Sequence, residues 1–170
     1  MKFIFVEKKP RYYGHLRRKI AQTSWPNEFQ IDLKAGEFEP VLSGLINHAS
    51  MNERSMPPTL LFIDPFGPPG FSMDTLRRLA TFDRIDVLIN LNHAEFVQWI
   101  LPDQAKHMTA DTLYGGARWR PALRMSGQER SDFLVQEYEV ALRESGWRGT
   151  SFEMVNKSNR TAYHLVFGTG

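Results

Sequence analysis

The chain contains no cysteine in 170 residues, which excludes disulfides, thiol nucleophiles and thiolate metal sites. That suits a reducing compartment, and a cytoplasmic location is expected. No apolar run approaches the roughly 18 to 20 residues of a membrane span, so no membrane partner is expected. The opening MKFIFVEKKP has a short apolar stretch before Glu7, without the length or the small-residue cleavage site of a signal peptide. His15, His48, His93, His107 and His164 are scattered with no His-x-x-x-His pair. His93 and Glu95 in LNHAEF make only two ligands, so no metal is expected. There is no Gly-x-Ser-x-Gly elbow for nucleophilic hydrolysis. Gly-x-Gly occurs only at Gly168 to Gly170, far from any cofactor loop.

What remains is a hydrophobic fraction of 42%, enough for a single domain over residues 1–170 with its own core. The formal net charge is only +2, yet Lys8, Lys9, Arg11, Arg17, Arg18 and Lys19 crowd one short stretch. Such a cluster suits a phosphate-bearing partner or is simply a solvated helix face. FIFV (3–6) reads as a strand, and RYYGHLRRKIAQ as a helix with Tyr13, Leu16 and Ile20 on one side. FQIDL is a second strand. EFEPVLSGLI is a second helix that carries Phe38, Val41, Leu42, Leu45 and Ile46 inward, with Pro40 tolerable only in its first turn.

Residues 47–58 read as a polar loop, TLLFI (59–63) as a third strand, and Ser72 as the cap of a helix burying Leu76, Leu79 and Ala80. IDVLIN is a fourth strand. Residues 92–127 follow no clean period and are expected to be an irregular insertion with short helices. QERSDFLVQEYEVALRESG is a helix with Leu134, Tyr138, Ala141 and Leu142 on one face and Gly146 as its stop. TSFEMV and TAYHLVFGT close the chain as an antiparallel pair. Alternating strands and helices predict an α/β protein with a mostly parallel sheet and a C-terminal antiparallel hairpin. The class I methyltransferase fold, Rossmann-like with its last strand inserted antiparallel, has this order of elements.

Three acids follow successive strands: Glu7, Glu37 and Asp64. The carboxyl ends of parallel strands share one edge, so these side chains are expected along one crevice. Glu7 suits the two hydroxyls of a ribose, and Glu37 with Phe38 suits an adenine. Each is equally a helix cap or turn former when taken alone. Asp64-Pro65-Phe66-Gly67 is more specific. Pro65 removes a backbone donor, so the carbonyl and carboxylate of Asp64 can meet an amino group while Phe66 offers a flat face. The segment resembles the Asp-Pro-Pro-Tyr type motif of amino methyltransferases, whose acid holds a base's amine.

FVEKKPRYYGHLRRKI, LLFIDPFGPPG, DVLINL and NKSNRTAYHLVFGT, in this order, resemble the three-Cys-motif partner family, a bacterial group similar to class I methyltransferases. The most specific parts are Ile63 to Gly67 and Asn156 to Thr169, with Asn159, Arg160 and Tyr163. The resemblance implies S-adenosylmethionine as cofactor, Glu7, Glu37 and Phe38 as its contacts, and Asp64, Pro65 and Phe66 at the methyl-accepting amine of a nucleic acid base or similar ring. It also implies a partner with a three-cysteine motif, similar to radical S-adenosylmethionine enzymes. Self-association stays open. Family members begin with a strand ending in an Asp-x-Phe-Ala-Gly-x-Gly type segment, and this sequence starts after it. The expectation is an N-terminally truncated chain whose first, central strand is missing, so that the strands of Glu7 and Asp64 lack a shared neighbour; the alternative is a genuine short form in which another chain fills the gap or the strands close around it. A non-catalytic partner subunit is the alternative function. In GGARWRPALR, Arg118, Arg120 and Arg124 suit phosphates, but Trp119 in the core with the arginines as its solvated rim is the preferred reading.

Overall fold

Strands and helices alternate through most of the chain. The computed structural model describes residues 1–51, 56–64, 71–92, 96–158 and 161–170. Pro65, Phe66, His93, Glu95, Asn159 and Arg160 lie outside the described residues. Where length and composition suggest one domain, the chain divides into two compact units, Met1–His48 and Ala49–Gly170.

In the first unit β1 (Lys2–Glu7) pairs in parallel with β2 (Gln30–Ala35), Lys2 opposite Gln30 and Glu7 opposite Ala35. The connection between parallel strands must return along the sheet, and α1 (Pro10–Gln22) supplies it. Pro10 starts this helix, where its missing N–H costs no hydrogen bond. The helix closes with the Trp25 Nε1–H donated to the Ile20 carbonyl at 3.0 Å. Phe3 meets Phe29 edge to face at 5.1 Å. The second helix, α2 (Phe38–Met51), holds Pro40 in its first turn as expected. It overturns part of the polar loop read from residue 47 onward, because the helix continues through Asn47–Met51. Ala49, three and seven residues beyond Ile46 and Leu42, extends their buried stripe for another turn.

The second unit holds a four-stranded mixed sheet in the order β3-β4-β6-β5, formed by β3 (Thr59–Ile63), β4 (Ile85–Leu91), β5 (Arg148–Val155) and β6 (Thr161–Thr169). β3 and β4 are parallel, and β6 lies antiparallel between β4 and β5. Alternation along β4 buries Ile85, Val87 and Ile89 fully. Against this face packs α5 (Gly127–Glu144), which meets β5 and β6, while α3 (Met73–Leu79) and α4 (His107–Tyr114) pack against α5 and each other. Ser72 caps α3 as read from the sequence, its Oγ accepting the Thr75 N–H at 3.1 Å. Leu76 and Leu79 are buried, as are Leu134, Tyr138, Ala141 and Leu142 of α5. Trp147 locks the layers together by donating its buried Nε1–H to the Leu76 carbonyl at 3.0 Å.

Close approach of α5 to the hairpin depends on two facing glycines. Gly149 pairs with Gly168, and Leu142 comes within 3.4 Å of the place where either would carry a Cβ. At Gly149 that Cβ would lie 2.4 Å from the Phe167 carbonyl oxygen, a backbone atom that cannot swing away. Gly149→Ala is therefore expected to destabilise the protein by about 1–3 kcal/mol. Urea unfolding at equilibrium checks this, and an unchanged midpoint would refute it.

The second face of this sheet is much more open. By register it carries Phe62, Leu88 and Phe167 in one row and Leu165 and Phe152 in the next. Leu60 and Phe62 are 66% and 56% exposed. Among the described residues β1 pairs only with β2 and β3 only with β4, so each strand that ends in a candidate acid has one open backbone edge.

Candidate functional site

Residues at the carboxyl ends of parallel strands are set by register. One residue past the pair Ile63 and Ile89, Asp64 leaves β3 beside Asn90, still within β4. The Asn90 Nδ2–H donates to Asp64 Oδ1 at 2.7 Å. This aligns the carboxylate at a strand end that is otherwise exposed. The Asn90 Oδ1 is buried and has no hydrogen-bond partner among the described residues. The reverse amide orientation would set Oδ1 against a carboxylate oxygen, so the hydrogen bond itself assigns the atoms.

The exposed Asp64 carboxylate takes one donor from Asn90 and keeps capacity to accept others. An amine, whose N–H groups donate, is the complementary ligand for that carboxylate. A buried carbonyl left unpaired costs about 1–3 kcal/mol. Sequence reasoning found Asp64 but passed over Asn90, which it used only as a strand boundary. The signal was there: a polar amide ending a strand parallel to the one that ends in the acid. Only register makes the two neighbours. Pro65 and Phe66, expected to clamp and stack the amine, lie outside the described residues.

In the first unit Glu7 ends β1, and its Oε1 accepts the backbone N–H of Lys9, the cap residue of α1, at 2.7 Å. The turn-forming role weighed for this acid is therefore real. It uses one carboxylate oxygen, and Oε2 has no partner among the described residues. Glu37 follows β2 and is exposed, with the Lys8 ammonium 3.7 Å from its Oε1. Phe38 opens α2 and is half-buried. The structure thus brings Glu7 and Glu37 to the same end of the β1–β2 pair, and Asp64 belongs to the other unit.

The arginine-rich segment resolves in favour of the core reading. Residues 117–124 form a 3-10 helix in which Trp119 is fully buried. Arg118 is engaged by Glu144 and lies 3.9 Å from Glu137. Arg120 pairs with Asp111 at 2.8 Å. The other Asp111 oxygen accepts the Trp119 Nε1–H, also at 2.8 Å.

Desolvation alone would raise the Asp111 carboxyl, but hydrogen bonds from Arg120 and Trp119 and the Arg120 charge outweigh it and hold the group below its ordinary value. A carboxyl depressed by folding stabilises the protein above its unfolded value, about 3.9, and loses that contribution as pH falls through the folded value. Asp111→Asn should accordingly show a shallower decline of melting temperature below about pH 4 than the parent, measured by circular dichroism. Parallel acid profiles would refute this assignment.

Among the described residues no group of three or more His, Asp or Glu side chains is placed to hold a metal ion. Among the described residues no helix is long and apolar enough to cross a membrane. Compared with family models, curated proteins and solved structures, the chain matches none.

Proposed function

We propose that this protein is similar to S-adenosylmethionine-dependent methyltransferases and acts on an amino group of a nucleic acid base or a comparable nitrogen-bearing ring. The observation that carries the reading is the Asp64–Asn90 pair: an exposed carboxylate at the end of a parallel strand, aligned by the amide of the neighbouring strand. A second support is topology. Parallel strands followed by a final strand inserted antiparallel between its two predecessors is the order expected of the Rossmann-like class I methyltransferase fold.

In this reading the exposed Asp64 carboxylate orients the amine by accepting an N–H group, Asn90 holds that carboxylate by donating to it, and the nitrogen lone pair stays free for the incoming methyl. The Asp64 carboxylate also stands ready for the proton that the alkylated nitrogen sheds. Positioning carries most of the catalysis. Within the first unit Glu7, whose Oε2 has no partner among the described residues, and Glu37 with Phe38 fit the ribose and adenine of S-adenosylmethionine as acceptors and apolar contact. That cofactor, when bound, supplies a methyl group already activated on sulfonium.

The open sheet face favours a second reading, a non-catalytic subunit whose partner bears a three-cysteine motif. Exposed Leu60, Phe62, Phe152 and Met154 suit burial against another chain. Asp64→Ala separates the two. Methyl transfer from labelled S-adenosylmethionine should fall by roughly 100-fold or more while capture of such a partner persists. Normal transfer by Asp64→Ala would overturn the assignment of the amine site.

A further inference from the structure

The first unit concentrates the positive charge of the protein. Residues 1–48 hold eight Lys and Arg against five Asp and Glu, leaving thirteen against fourteen in the remainder. Within it, residues 8–22 carry six cations and no acid. Lys8 is turned to Glu37. Among the described residues none of Lys9, Arg11, Arg17, Arg18 and Lys19 is paired with a carboxylate.

Helical spacing sorts these groups. Tyr13, Leu16 and Ile20 form the half-buried stripe of α1, the helix that packs on β1 and β2. On the other side Arg11, His15, Arg18 and Lys19 fall at i, i+4, i+7 and i+8, all exposed. They form a ridge about 12 Å long at 1.5 Å per residue. At its start Tyr12 is exposed, with the Lys9 ammonium 5.5 Å from its ring centre.

We propose that this outer face of α1 binds the phosphodiester backbone of a nucleic acid strand. Arginines along one helix face, without a carboxylate partner among the described residues, suit successive phosphates, which guanidinium groups grip with two hydrogen bonds. An exposed tyrosine beside them provides a surface for an unstacked base. An anionic membrane is the poorer match, because a helix that lies in a lipid surface must insert its apolar stripe, and that stripe of α1 faces its own sheet. The proposal does not rest on methyl transfer: backbone binding requires neither cofactor nor Asp64, so the two readings fail separately.

The test uses the full chain and a fluorescein-labelled oligothymidylate of about 20 nucleotides, followed by anisotropy between roughly 50 and 200 mM salt. Three phosphates neutralised on a single strand give a slope of about −2 in log affinity against log salt. The triple variant Arg11→Ala, Arg18→Ala, Lys19→Ala should lose more than about tenfold in affinity at the low-salt end and most of that slope. The charge-keeping variant Arg11→Lys, Arg18→Lys should retain the slope even if a neutral variant folds poorly. Arg124→Ala, which removes a cation of the other unit, should bind like the parent. Absence of parent binding, a triple variant that binds equally well, or an equal loss from Arg124→Ala would overturn the proposal. So would sedimentation with phosphatidylserine vesicles in the absence of oligonucleotide binding.

Discussion

Trp119→Ala is expected to destabilise the protein by about 3–5 kcal/mol and to lower its melting temperature by roughly 10 °C or more. The indole is fully buried. It meets His107 and Phe96 edge to face, with ring centres 4.9 and 5.7 Å away, and Phe96 in turn meets Tyr114 at 5.4 Å. Truncation would therefore open a cavity inside an aromatic cluster that ties residues 96–124 to α5, through the edge contact of Tyr114 with Tyr138 at 5.6 Å. It also removes one of the two donors of Asp111. Trp119→Phe, which keeps an aromatic ring, should cost less than the alanine variant. Thermal unfolding of both variants decides the matter. A loss below a couple of degrees for Trp119→Ala would mean that this segment does not contribute to the cooperative core.

The second large effect concerns the strand-end pair. In the methyltransferase reading Asp64→Ala should reduce transfer by roughly 100-fold or more, since a misplaced reacting group alone costs about that much. Stability should change little, because Asp64 is exposed and water can replace it at the Asn90 amide. Asn90→Leu makes a sharper test. It removes the donor that aligns Asp64 and also the buried oxygen that lacks a partner among the described residues. Loss of an unsatisfied buried acceptor is neutral or stabilising, so the melting temperature should hold or rise while transfer falls. A binding constellation commonly sacrifices stability in this way. Should Asn90→Leu lower stability and leave transfer intact, the amide would be a purely structural group and the amine site would have to be sought elsewhere.

Much of the architecture was legible in the residues because it is encoded locally. The five residues of TLLFI form β3 as read, the period of Leu134, Tyr138, Ala141 and Leu142 marks the buried face of α5, and Ser72 caps α3. Each of these follows from side-chain spacing or from one hydrogen bond within a few residues. The helical continuation of Asn47–Met51 escaped notice because a polar composition there masked the buried Ala49. Asp64 stood out as an acid at a strand end. Its neighbour Asn90 did not, since 26 residues separate them and only strand register joins them. The same holds for the arginines of ARWRPALR: their composition suggested free cations, and Arg118 is neutralised by Glu144, 26 positions away. Local order thus comes from steric preference and periodicity along the chain. Which strand inserts between which, which charges are already satisfied and which buried oxygen is left without a donor are consequences of long-range packing, and they arise only when the elements meet.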